Sequence, residues 1–139
     1  MVLVDTNVLL DIATRDAVWF PWSAAKLQEV QAGGETAINP VIYTELLPAY
    51  TSAGELDRIL VPAARFRRLP LPYSAAVPAA RAFAAYREAG GTKTSPLPDF
   101  YIGAHAEAEG LTLLTRDATR YRTYFPAVPL ICPDASPAT

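Results

Sequence analysis

The chain is expected to adopt an α/β fold, with a central, mainly parallel sheet of four to five strands covered by helices on both faces. Three observations carry that expectation. Short apolar runs, of the kind that form buried parallel strands, recur at Val2–Val4, Thr36–Ile38, Phe66–Leu69, Leu111–Leu114 and Val128–Ile131. Helical stretches with caps and glycine stops separate these runs. Acidic residues recur where a strand ends or a helix begins, and in a parallel sheet the carboxyl ends of the strands meet at one edge.

Each element has a local reason. After Val2–Val4, Thr6 and Asn7 are suited to cap a helix reaching about Ala13. Trp19 to Gln31 reads as a second helix, with Trp22, Leu27 and Val30 as apolar positions and Gly33-Gly34 as its stop. Asn39-Pro40 supplies a cap residue and a first-turn proline for a helix carrying Val41, Ile42, Glu45 and Leu46. Pro48 ends or kinks it, and Ser52 to Ala64 reads as a further helix with Leu56, Ile59 and Leu60 on one face. Alanine-rich Ser74 to Ala89 is helical and closes at Gly90-Gly91. Thr92 to Pro98 is loop-like, and Pro98-Asp99 opens a helix to about Glu109 that Gly110 terminates. Thr115-Arg116-Asp117 leads into a short helix through about Tyr121. Alternation of strands and helices implies right-handed crossovers. Residues 1–132 are expected to form a single domain and 133–139 a frayed tail.

The composition fits an ordinary globular protein: 139 residues, 51% hydrophobic and 19% charged. The lone Cys132 excludes an internal disulfide and suits a reducing cytoplasm. No signal-like leader and no span of about 18 apolar residues is present, so neither secretion nor membrane insertion is expected. The net charge of −2 argues against simple phosphate neutralisation as a binding mode. If bound cations offset the clustered acids, however, the rest of the chain is positive, and a nucleic-acid substrate stays admissible.

Four acids, Asp5, Glu45, Asp99 and Asp117, stand at these junctions. A single Asp in such a place is most often a cap or turn residue. Four carboxylates brought to one edge would repel one another unless cations held them together, and hard oxygen ligands suit Mg²⁺ or Mn²⁺.

The motifs Leu3-Val4-Asp5-Thr6-Asn7-Val8-Leu9, Thr44-Glu45-Leu46, Leu97-Pro98-Asp99 with Ile102-Gly103-Ala104-His105-Ala106, and Leu114-Thr115-Arg116-Asp117 resemble the ordered motifs of PIN-domain ribonucleases, above all VapC-type toxins of toxin–antitoxin pairs. The resemblance runs from about Val2 to Ile131. It implies a PIN-like three-layer α/β/α sandwich, with Asp5, Glu45, Asp99 and Asp117 as the metal-binding catalytic quartet and Thr6, Asn7, Thr115 and Arg116 in support. It further implies an Mg²⁺-dependent endoribonuclease, with Mn²⁺ as a substitute, held inactive by a cognate antitoxin and commonly homodimeric. A metal-activated water would attack the phosphodiester without a covalent protein nucleophile, one acid also accepting its proton.

Other residues read differently. His105 lies six positions beyond Asp99 on the same helix, about 240° around its axis, and so is expected to pack or face solvent rather than enter the site. Cys132 has no sequence partner and reads as structural. Arg116, Arg120 and Arg122 either contact phosphates near the acids or are ordinary surface cations. Arg65, Arg67 and Arg68 form a second basic group, which strand alternation splits between faces. Trp19, Phe20, Trp22, Tyr43, Leu46, Leu47 and Tyr50 are core by default; the resemblance implies that this region forms an antitoxin groove. Two other functions compete: a haloacid-dehalogenase-like phosphatase, which expects a second Asp where Asn7 stands, and a non-catalytic PIN-like scaffold that binds RNA or protein.

Overall fold

A computed structural model, describing residues 1–60 and 65–134, has five strands and seven α-helices among those residues. The strands are β1 (Val2–Val4), β2 (Thr36–Ile38), β3 (Phe66–Arg68), β4 (Thr112–Leu114) and β5 (Leu130–Ile131). The helices are α1 (Thr6–Thr14), α2 (Phe20–Gly33), α3 (Pro40–Leu46), α4 (Ala53–Arg58), α5 (Ala76–Glu88), α6 (Pro98–Glu109) and α7 (Thr119–Tyr124). All strand pairs are parallel, in the order β3-β2-β1-β4-β5, with helices flanking the sheet as the expected three-layer sandwich requires.

That order places the site. The chain winds outward from β1 through β2 to β3, then returns to the other side of β1 with β4 and β5. The winding direction therefore changes between β1 and β4, and a crevice opens outside the carboxyl ends of strands at such a point. Val2, Leu3 and Val4 pair with Thr112, Leu113 and Leu114, which brings Asp5 and Thr115 side by side just beyond the ladder. Backbone bonds extend the pairing, from Asp5 N–H to Leu114 O at 2.9 Å and from Thr115 N–H to Ile131 O at 3.0 Å.

Helix ends follow the predicted chemistry with one correction. Thr6 and Asn7 do not cap α1; they are its first helical residues, and Asp5 is the cap, its Oδ1 accepting the Thr6 N–H at 2.8 Å. Asn39 caps α3 by accepting Ile42 N–H at 3.0 Å, with Pro40 behind it, and Gly110 ends α6 at φ 65°. The expected Ser52–Ala64 helix is regular only over Ala53–Arg58, and positions 61–64 lie outside the described residues, as do 135–139 of the expected tail.

The core joins Leu3, Val4, Ile38, Ile42, Leu113 and Leu114 to the α6 residues Phe100 and Ile102, with Tyr121 and Phe125 beneath them. Gly103 lets α6 approach closely: a Cβ built there would collide with the Phe125 ring, which is itself 1% exposed. Gly103→Ala must push that ring into a filled core, so it is expected to destabilise the fold by about 3 kcal/mol. Thermal unfolding should show this as a fall in Tm of roughly 10 °C; an unchanged Tm would mean that the ring has room to move.

Candidate active site

Asp5 is the centre of a polar network. The residue is 4% exposed, and its Oδ2 accepts hydrogen bonds from the Thr115 hydroxyl at 2.9 Å and the Tyr121 hydroxyl at 2.9 Å. Asn7 Nδ2 lies 3.4 Å from the same oxygen and 3.2 Å from Thr115 Oγ1, while Asn7 Oδ1 accepts the Arg116 N–H at 3.3 Å. Asn7 thus ties the turn after β1 to the turn after β4. Thr115 Oγ1 also accepts the Asp117 N–H at 3.1 Å, which shapes the chain as it leaves the sheet.

The other three acids arrive from separate elements. Glu45 projects from α3, where its Oε1 accepts the Thr6 hydroxyl at 2.7 Å. Asp99 sits in the first turn of α6, and its Oδ2 accepts Arg120 Nη1 at 3.2 Å. Asp117 follows β4. Asp5, Glu45, Asp99 and Asp117 line a single cleft of about 520 Å³, together with Thr6, Asn7, Arg120 and Tyr121 among others. The convergence expected from strand order is therefore present in the fold.

Arg116 does something else. Its Nε donates to Asp11 Oδ2 at 2.8 Å, and Asp11 is 3% exposed and also accepts the Ser23 hydroxyl at 2.7 Å. The guanidinium lies over Trp19, 5.3 Å from the ring centroid. Arg116 is thus pinned between α1 and α2 and braces the turn that carries Asp117. Three residues of this assembly, Asp11, Ser23 and Tyr121, had no sequence signal. Asp11 and Ser23 resemble ordinary helix positions, and Tyr121 reads only as the end of a short helix.

The charges strain against one another. Burial pushes the Asp5 carboxyl up to about 6, the bonds from Thr115 and Tyr121 oppose that rise, and the charge of Asp99 adds to it. Asp99 is also raised, mainly by burial; Arg120 pulls it back, and Asp117 raises it further. The Tyr121 phenol is driven far above its ordinary range by burial and by the fields of Asp5, Asp99 and Glu45. Hard, mutually repelling oxygen donors of this kind match the chemistry of a divalent cation. They do not form a finished ligand shell, however: among the described residues no group of three or more His, Cys, Asp or Glu side chains is placed to hold a metal ion. Thr6 occupies an oxygen of Glu45, Arg120 one of Asp99, and two hydroxyls one of Asp5.

His105 stays out of the cleft, as its helix position predicted. It is 1% exposed, and its Nδ1 pairs with Asn39 Nδ2 at 3.0 Å. Burial lowers its pKa, in keeping with a neutral ring that accepts from the amide. The pair links the cap of α3, which carries Glu45, to α6, which carries Asp99. Asn39→Ala removes the cap and strands a buried ring nitrogen, so a loss of about 2 to 3 kcal/mol in denaturant unfolding is expected; a wild-type midpoint would show that neither bond matters.

The remaining candidates lie elsewhere. Arg67 pairs with Glu35 at 2.7 Å and Arg68 with Asp57 at 3.2 Å, both as exposed ion pairs on the edge strand. Cys132 is a free thiol 3.2 Å from Arg122 Nη2. Leu46 is buried, while Trp22, Tyr43, Leu47 and Tyr50 are partly buried against the core. No helix among the described residues is long and apolar enough to cross a membrane.

Comparison with known proteins agrees with this architecture. The PIN-domain family model matches residues 2–126. VapBC2 from Rickettsia felis, solved bound to a DNA fragment from its promoter, is similar with a TM-score of 0.72 at 18% identity, over 96% of this chain and 100% of that one. FitAcB from Neisseria gonorrhoeae gives 0.66 at 22% identity, over 94% and 96%. DNA-bound VapBC from Salmonella typhimurium gives 0.68 at 17% identity, over 94% and 96%. Among curated proteins none matches significantly. With the sheet order, the cleft at its switch point and a family match over nearly the whole chain, this protein belongs to the PIN-domain family.

Proposed function

We propose that this protein is a metal-dependent endoribonuclease that serves as the VapC-type toxin of a toxin–antitoxin pair, with residues 1–132 as its nuclease domain. The observation that carries the reading is the meeting of Asp5, Glu45, Asp99 and Asp117, from four separate parts of the chain, in one cleft. Family membership adds support, as does a structural neighbour, the toxin–antitoxin complex from Klebsiella pneumoniae, similar with a TM-score of 0.60 at 23% identity. A cognate antitoxin, a homodimeric state and a cytoplasmic setting belong to the same proposal.

Asp5, Glu45, Asp99 and Asp117 would hold Mg²⁺, or Mn²⁺ in its place. A divalent cation supplies a more acidic bound water and charge to stabilise a departing oxygen in phosphodiester hydrolysis. The protein's own contribution is orientation. Thr115 and Tyr121 fix the Asp5 carboxylate, Thr6 fixes Glu45, and Asn7 with Arg116 holds the turn that presents Asp117. A haloacid-dehalogenase-like phosphatase gains no support, since the chain is a PIN-domain protein and Asn7 serves as a hydrogen-bonding bridge where a second Asp would be needed.

The test is incubation of the purified protein with structured RNAs in Mg²⁺, Mn²⁺ or EDTA, beside a phosphomonoester control. Internal RNA cuts that vanish in EDTA are expected. RNA binding without cleavage would favour the scaffold reading, and phosphate release alone the phosphatase.

A further inference from the structure

Three arginines flank Asp117, and their surroundings separate them. Arg116 is committed to buried Asp11 and to the face of Trp19. Arg122 is turned toward Cys132 at an exposed position. Arg120 alone of the basic side chains among the described residues lines the cleft of the four acids. There it meets Asp99 through one contact, Nη1 to Oδ2 at 3.2 Å, and its guanidinium also lies 5.8 Å from the Phe100 ring centroid.

That contact is easy to break. The two side chains are 41% and 40% exposed, and ion pairs so open to water contribute little. The segment carrying Arg120 is nonetheless fixed, because the next residue, Tyr121, is 1% exposed and bonded to Asp5. An Arg120 that lets go of Asp99 therefore remains at the cleft, with its full set of donors free. The planar fork of a guanidinium matches the oxygens of a phosphate.

Resting on the metal-nuclease reading above, we propose that Arg120 is a displaceable cation: it competes with a divalent ion for the Asp99 carboxylate it pairs with and, once displaced, binds a phosphate of the RNA beside the cleavage site. Two consequences of opposite sign follow from one residue. Removing Arg120 frees Asp99 and strengthens metal binding, while it deprives the RNA of a phosphate contact. A purely structural arginine would move both in the same direction or neither.

The experiment reads the two separately, with no cleavage measured. Mn²⁺ is titrated calorimetrically into wild type, Arg120→Ala, Arg120→Lys and Asp99→Asn proteins, each checked as folded by circular dichroism. A fluorescent RNA oligonucleotide is then titrated in Ca²⁺, with its integrity checked on a gel. Arg120→Ala is expected to tighten Mn²⁺ about fivefold, the scale of losing an exposed competing ion pair. It is expected to weaken RNA about tenfold and to lower the salt-dependence slope by about one. Arg120→Lys should fall between wild type and Arg120→Ala in both. Weaker or unchanged Mn²⁺ binding in Arg120→Ala overturns the displacement, and unchanged RNA affinity and salt slope overturn the phosphate contact. If wild type binds no Mn²⁺, or binds it as well after Asp99→Asn, the metal-site reading itself fails and this one falls with it.

Discussion

Asp5→Asn is expected to lower metal-dependent RNA cleavage on the order of a thousandfold or more while leaving the protein folded. The loss follows from position. Asp5 is the most enclosed of the four acids, and Thr115, Tyr121 and Asn7 all aim at its Oδ2. An amide removes the charge that attracts a cation yet keeps the shape. Its oxygen still caps α1 by accepting the Thr6 N–H, and its nitrogen donates toward the Tyr121 hydroxyl once that hydroxyl accepts instead, while Thr115 Oγ1, which already accepts from Asn7 and from the Asp117 N–H, gives up its bond to residue 5. The Thr115 hydroxyl has a second acceptor ready, the Asp117 carbonyl at 3.3 Å. Asp99→Asn should lose activity to a similar degree with less consequence for stability, since that side chain is half open to the cleft. Wild-type turnover in a well-folded Asp5→Asn protein would refute the quartet as the reacting centre.

What the sequence discloses about this site is its plan, and what it conceals is the bracing. The convergence of Asp5, Glu45, Asp99 and Asp117 could be expected before any coordinates, because parallel strands of an α/β fold deliver their carboxyl ends to one edge and the resemblance to PIN-domain motifs singles out these four acids. The Asn39-Pro40 cap and the Gly110 stop were legible for a related reason: both are satisfied within one helical turn. The network around Asp5 depends instead on residues more than a hundred positions away, such as Thr115 and Tyr121, and no local pattern encodes which hydroxyl will reach it. The same distance explains the arginines. Arg116, Arg120 and Arg122 form one cluster in sequence, but buried Asp11 draws one inward, Asp99 draws another into the cleft, and the third faces outward. Asp5, Thr6 and Asn7 are all open as caps of α1 by residue type, and choosing Asp5 requires knowing that its carboxylate turns back onto its own helix. The residue that caps is also the residue proposed to hold metal, and this double use makes the junction hard to read from type and spacing alone.

The second large effect is on stability, and it runs opposite to the activity loss. In metal-free buffer, wild type is expected to be less stable than Asp5→Asn by up to about 3 kcal/mol at pH 7.5, with the gap closing as the pH falls toward 4. Burial raises the Asp5 carboxyl from 3.8 to about 6 in the folded protein, so the fold favours its protonated form. A group of this sign contributes stability that is fully present below the unfolded value of 3.8 and is lost as the pH rises through about 6. The amide variant has no such titration, so the pH dependence of the difference between the two unfolding free energies reports Asp5 together with the groups coupled to it, Asp99 and Tyr121. Mg²⁺ should then reverse the order at pH 7.5. A ligand at a thousand times its Kd adds about 4.1 kcal/mol to a protein that binds it only when folded, and Asp5→Asn should gain little. Urea unfolding at pH 4, 6 and 7.5, with and without Mg²⁺, measures both. A gap that stays flat across this range would mean that the Asp5 charge costs the fold nothing, and equal stabilisation of both proteins by Mg²⁺ would place the ion away from Asp5. If the gap opens with pH and Mg²⁺ closes it only in the wild type, the buried carboxylate carries a cost in stability that only its charge toward a cation explains.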